Sequence, residues 1–239
     1  TEEGPLATID TTTHTYHLVE TKEQRTALLG KLMNAKEVCF DTETTGLDAL
    51  DAMMVGMSFA IQKGEAFYVP VPPTLEGAMP IVTEFKSLFE HRGIKLIGQN
   101  IKYDIKVLKK YKVRVHSNLF DTMLAHYLLE PDQRHNMDVL AENYLNYSPV
   151  SIEKLIGKKG KNQLNMADLD PAMVSDYACE DADVTFQLKE VFEPMLKERG
   201  ELILFDKVEI PLVNVLASME EEGITVDVDF LGEMSGELG

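Results

Sequence analysis

The sequence predicts an α/β fold, a mixed β-sheet flanked by helices, on three observations. Short apolar runs alternate with segments whose apolar residues recur at helical spacing, as in a single sheet-and-helix domain. The run "IKLIGQN" (94–100) is apolar in the manner of a strand buried on both faces. The segments "VGMSFAIQ" (55–62) and "EAFYVPV" (65–71) flank a Lys-Gly turn and read as a hairpin.

In chain order, "TYHLVE" (15–20) is a short strand, and Thr21 with Gln24 makes a capping box for a helix over 22–34. Val38, Cys39 and Phe40 open a strand ending at Asp41, which the hairpin joins. A helix over 80–91 leads into the strand at 94–100, followed by helices at 101–111, 121–130, 136–146 and 151–156. After the loop "GKKGKN" come a long helix over 171–196, with Asp170 as N-cap and Pro171 in its first turn, and another over 201–222.

At 239 residues with 44% hydrophobic and 8% aromatic content, the chain suits one large packed domain or a domain plus the start of another. Cys39 and Cys179 supply no disulfide framework; they read as small buried hydrophobes in a reducing cytoplasm. No run is apolar enough to span a bilayer, so a soluble cytoplasmic protein is expected. The start at Thr1 and the ending "GEMSGELG" read as the limits of a fragment. A net charge of −17, from 23 basic and 40 acidic residues, argues against grip through many phosphates. A small metal-filled cleft remains compatible with it, given weak binding by this segment alone or a basic partner domain.

The acids carry the function. An unpaired buried carboxylate costs several kcal/mol, so acids at the end of an apolar strand need a reason. Asp41 and Glu43, two residues apart in a strand, project from one face. In "NIKYDIKVLKKY" the apolar stripe is Ile101, Ile105, Leu108 and Tyr111, and Asp104 lies within it. The last long helix has a stripe of Val174, Tyr177, Asp181, Val184, Leu188 and Val191, with Asp181 inside it and Asp176, Glu180 and Asp183 outside, read as solvated. Three segments thus aim carboxylates inward, which points to a divalent-cation site; hard oxygen donors suit magnesium or manganese in a two-metal phosphoryl-transfer site that Asp41 could bridge. Tyr177, one turn before Asp181 and about 40° around the axis, reaches the same pocket and could position an attacking water.

Other residues have plainer readings. Asp121 caps the helix it precedes. The six histidines lack ligand spacing, and His126 and His135 read as packing or substrate-side hydrogen bonders. "GKKGKN" is a solvated loop whose lysines could alternatively hold a phosphate backbone, and Leu47 is either core cover or a wedge against a base.

The stretches "FDTETTGLD", "IGQNIKYDIKVL", "FDTMLAHYLL", "RHNMDVLAENYL", "GKKGKNQL" and "YACEDADVTFQL" resemble, in order and spacing, the exonuclease motifs of bacterial family A DNA polymerases, the Klenow-type proofreading domain. This resemblance, over about residues 15–232, implies a ribonuclease H-like fold of the DEDD exonuclease superfamily, tyrosine subgroup. It implies a linker over 1–14, an exonuclease domain over 15–200, and a connecting helix with the start of the polymerase thumb over 201–239. Asp41, Glu43, Asp104 and Asp181 match the family's metal-site acids, and Tyr177 matches its tyrosine. Leu47 matches the wedge beside the terminal base; Gln99, Asn100 and Arg134 match residues lining the single-strand path, and Thr42 joins the substrate-binding set. Ile152 stands where the family has a phenylalanine, and the adjacent loop is one residue longer.

The resemblance implies a 3′-5′ exonuclease with two divalent ions, magnesium with manganese or zinc as alternatives, acting on a single-stranded 3′ end of DNA. Release of 5′-monophosphates, monomeric state and a polymerase domain on the same parent chain complete the expectation. A ribonuclease D-type RNA exonuclease and a non-catalytic nucleic-acid-binding or structural domain are the alternatives.

Overall fold

A computed structural model describes residues 4–116 and 118–238; residues 1–3 of the expected linker and residue 239 of the expected tail lie outside the described residues. The elements are β1 (Thr15–Leu18), α1 (Lys22–Met33), β2 (Glu37–Thr44), β3 (Met54–Gln62), β4 (Glu65–Pro70), α2 (Leu75–Glu84), α3 (Lys86–Phe89), β5 (Lys95–Gly98) and α4 (Ile101–Lys110). Then come β6 (Asn118–Asp121), α5 (Thr122–Leu129), α6 (Met137–Leu145), α7 (Ile152–Ile156), α8 (Pro171–Arg199), α9 (Leu202–Leu204), α10 (Ile210–Glu222) and α11 (Val228–Leu238).

The strands form one mixed sheet in the order β1-β4-β3-β2-β5-β6. The β2–β3–β4 meander is antiparallel, and β1/β4, β2/β5 and β5/β6 are parallel pairs. Alternation along the strands divides the core into two layers. Val38, Phe40, Phe59, Val69 and Leu96 pack against α1, α2, α3 and α4. Cys39, Ala60, Ala66, Tyr68 and Ile97 pack against α5, α6 and α8. Burying each large apolar side chain contributes ~1.5–3 kcal/mol, so the two-sided sheet sets the fold's rigidity and fixes where β2 ends.

Local chemistry sets most boundaries. The capping box of α1 is formed, with Gln24 N donating to Thr21 Oγ1 at 3.2 Å and Thr21 N to Gln24 Oε1 at 2.9 Å. Gly64 turns the β3–β4 hairpin at φ 77°, and α8 carries the Asp170 cap and first-turn proline read from the sequence.

Four differences have physical causes. The helix expected from residue 80 starts at Leu75, because Thr74 caps it by accepting from Gly77 N at 3.2 Å; Pro80 is carried inside. The helix then breaks at Phe85 before α3. The strand expected over 94–100 pairs only over Lys95–Gly98, since Asn100 enters the left-handed region at φ 61° to start α4. The four-residue strand β6 is too short for alternation to show, and its last residue, Asp121, doubles as the α5 cap. Near the amino terminus Ala7 bridges to Tyr147, with Ala7 N donating to Asn146 O at 3.0 Å.

Candidate active site

The site forms where β2 outruns its neighbour. β5 pairs with β2 only as far as Cys39, and the last residues of β2 are held by β3 alone, with a register shift between Glu43 and Thr44. Bulges of this kind re-aim side chains at sheet edges. Asp41 and Glu43 face α8, and Asp181 comes down from that helix; one carboxylate oxygen from each lies within 4.8 Å of the others. Tyr177, one turn earlier on α8, sets its hydroxyl against the Asp181 carboxylate.

Asp104 belongs to the same locality but is not a member of this three-acid group. Its Oδ1 accepts from Thr42 N at 3.1 Å and Thr42 Oγ1 at 2.5 Å. The physical reason is the exposed edge of β2: with β5 ended, Thr42 N–H has no ladder partner, and the first turn of α4 supplies a carboxylate instead. Asp104 thereby ties α4 to the peptide between Asp41 and Glu43.

The electrostatics fit divalent-cation binding. Burial pushes the Asp41 carboxyl up to about 7. Burial, then the Asp41 charge, holds Glu43 and Asp104 well above the usual carboxylate range, and burial with Glu43 and Asp41 does so for Asp181. Burial and the same acids raise the Tyr177 phenol, keeping it a hydrogen-bond donor at neutral pH. Glu43 Oε1 and Asp181 Oδ1 are buried without hydrogen-bond partners. Unpartnered carboxylate oxygens at this depth are costly unless something positive sits between them, and an all-oxygen donor set fits magnesium or manganese.

The residues expected to bind substrate are spread around this centre. Leu47 is 96% exposed at the tip of a turn pinned by Thr44 Oγ1 and Tyr103 OH, which donate to Gly46 O at 2.9 and 2.5 Å. Gln99 is engaged internally: its Nε2 donates to His135 O at 2.7 Å and its Oε1 accepts from Thr122. Asn100 and Arg134 are exposed, and Ile152 is 41% exposed. Lys158, Lys159 and Lys161 lie on an exposed loop. His126 sits in a packed network, Nδ1 2.7 Å from His135 Nδ1 and Nε2 3.0 Å from Tyr144 OH.

Glu180 and Asp183, expected in solvent, are buried. Glu180 accepts from Tyr147 OH at 2.5 Å and Val150 N at 2.7 Å, and Asp183 from Tyr16 OH at 3.0 Å and Gly64 N at 2.9 Å. The two acids fasten α8 on either side of Asp181. Gly56 was also missed. It lies opposite Glu43 in the ladder, and a Cβ there would meet the Tyr68 ring at 2.2 Å. Tyr68 is fully buried, so Gly56→Ala should destabilise by ~1–3 kcal/mol, lowering the melting temperature by roughly 2–12 °C, and should impair Glu43. Scanning calorimetry with wild-type-like melting would refute this.

A model of the 3′-5′ exonuclease family matches residues 16–197. The chain belongs to that family. It is 36% identical over 229 residues to DNA polymerase I of Borreliella burgdorferi, covering 95% of this chain and 25% of that protein. With DNA polymerase I of Pseudomonas aeruginosa the identity is 39% over 224 residues, covering 89% and 24%. The chain therefore spans about a quarter of the length of these curated relatives, and the match places it with their exonuclease segment. The structure of Brucella melitensis NrnC with bound Mg2+ superposes at TM-score 0.66 and 19% identity, covering 89% of this chain and 95% of that one. That likeness shows the fold alone, a ribonuclease H-like mixed sheet flanked by helices, which this chain shares. No helix among its described residues is long and apolar enough to cross a membrane.

Proposed function

We propose that this chain removes nucleotides from single-stranded or frayed 3′ ends of DNA as 5′-monophosphates, with divalent cations held by Asp41, Glu43 and Asp181, and that it proofreads for a polymerase domain on the same parent chain. The observation that carries this reading is the convergence of those carboxylates, two with unpartnered buried oxygens, beside the Tyr177 hydroxyl. Bound ions would supply Lewis-acid stabilisation of the leaving 3′ oxygen and would make a bound water more acidic and hence a better nucleophile. Glu43 and Tyr177 would orient that water by accepting and donating a hydrogen bond. Asp104 keeps β2 in place through Thr42, and its charge beside Asp41 suits a contact to a second ion through water. Leu47, projecting from its pinned turn, would press on the terminal base, with Asn100, Arg134 and Ile152 along the strand's path.

Identity of 36–39% to two DNA polymerases supports DNA as the substrate. The net charge of −17 supports weak binding by this segment alone. The test is incubation with a 3′-mismatched DNA duplex and with RNA, in Mg2+ or chelator. Stepwise shortening of DNA from the 3′ end in Mg2+ alone is expected. No shortening of either polymer would end the nuclease reading, and faster loss of RNA would end the proofreading reading.

A further inference from the structure

The α8-facing side of the sheet is built from cross-strand rows. Cys39, Ala60 and Ala66 form the first, Asp41, Ser58 and Tyr68 the second, and Glu43, Gly56 and Pro70 the third. Directly opposed residues of an antiparallel pair share a face, with Cβ atoms about 4.5–5.5 Å apart. The β3 members are all small, which lets α8 approach closely, and only Ser58 carries a polar side-chain atom. Ser58 is fully buried and its Oγ has no hydrogen-bond partner. Packing does not explain that hydroxyl, because alanine fills the corresponding position one row away. Among the described residues four buried side-chain oxygens lack partners; three of them, Glu43 Oε1, Ser58 Oγ and Asp181 Oδ1, belong to this patch. Tyr68, the other hydroxyl of Asp41's row, is engaged with Val55 O at 3.2 Å.

We infer that Ser58 is a positioning residue of the cation site: its hydroxyl donates to the Asp41 carboxylate when the acids close around a divalent ion, fixing which Asp41 oxygen faces the metal. The inference rests on the cation-site reading above. It also gives a reason for keeping an orphaned hydroxyl in a packed layer: the group lacks a partner until the acids rearrange.

The experiment compares the 239-residue chain with its Ser58→Ala variant by three measurements: melting in chelator, calorimetric titration with Mn2+, and steady-state cleavage of single-stranded DNA. Ser58→Ala should melt in chelator at or above the wild-type temperature, since an unpartnered buried hydroxyl is removed. Mn2+ affinity and kcat should each fall by about tenfold, the low end for a residue behind a metal ligand, with KM for DNA unchanged. Wild-type Mn2+ affinity in the variant would overturn the role of Ser58 and leave the nuclease reading standing, as would a lowered melting temperature in chelator, the mark of a packing residue. A wild-type chain that takes up no Mn2+ and cleaves nothing would overturn both.

Discussion

Asp41→Asn should lower DNA cleavage by at least about a thousandfold, ~4 kcal/mol of barrier at 1.36 kcal/mol per tenfold, while raising the melting temperature of the metal-free protein. The two effects have one cause. Asp41 shares the three-acid group with Glu43 and Asp181, and its charge also helps hold the Glu43, Asp104 and Asp181 carboxyls above their usual range. An amide of the same size removes the proposed cation ligand and a repelling charge together. Relief of about 1 kcal/mol corresponds to ~2–4 °C for a domain of this size. Asp104→Ala makes a poorer test, because it also strands Thr42 N and Oγ1, now held at 3.1 and 2.5 Å, and would unsettle β2 directly. For Asp41→Asn the checks are a cleavage time course in Mg2+ and thermal melts in chelator at pH 8. Activity within tenfold of wild type would exclude Asp41 as an essential ligand, and a lower melting temperature would exclude repulsion as the cost of the empty site.

The legibility of this site in the sequence follows from how local each signal is. Asp41 and Glu43 were readable because a period of two in a strand fixes a shared face whatever packs above it. Tyr177 and Asp181 were readable because both fall in an apolar helical stripe. The same stripe argument failed for Glu180 and Asp183. It treats a helix as having one buried side, whereas α8 is the central helix, covered by the sheet and by α5 and α6, so acids off the stripe are buried too and need their own donors. Those donors, Tyr16, Gly64, Tyr147 and Val150, come from remote segments that no local pattern connects. Asp104 was readable as inward-facing, but its bond to Thr42 depends on β5 ending at Cys39's level, a fact of strand pairing. Helix starts were readable where a cap and the apolar repeat agreed, as at Thr21 and Asp170, whereas the helix expected from residue 80 starts five residues earlier, behind the Thr74 cap.

Metal-free stability should fall as pH rises from about 4 through 8, and the stabilisation by Mg2+ should grow over the same interval. In the unfolded chain these carboxyls titrate near ~4; in the folded chain Asp41 is pushed up to about 7, and burial with the neighbouring acids holds Glu43, Asp104 and Asp181 well above the usual carboxylate range. Between those limits the folded state binds more protons than the unfolded one, so raising pH favours unfolding. The contribution is fully present below the unfolded values and is lost as pH climbs through the folded ones. A divalent ion competes with the same protons, so it gains most where they are hardest to retain. The overall charge of −17 also disfavours the compact state at high pH, so the informative quantity is the difference between wild type and an Asp41→Asn/Asp181→Asn double variant. Melts from pH 5 to 8.5, in chelator and in Mg2+, should show the wild-type deficit in chelator widening with pH, and in Mg2+ the two curves should converge or cross. A deficit that stays flat would mean that the acids keep ordinary pKa values in the fold. An Mg2+ increment that persists in the double variant would place the ion away from these carboxylates.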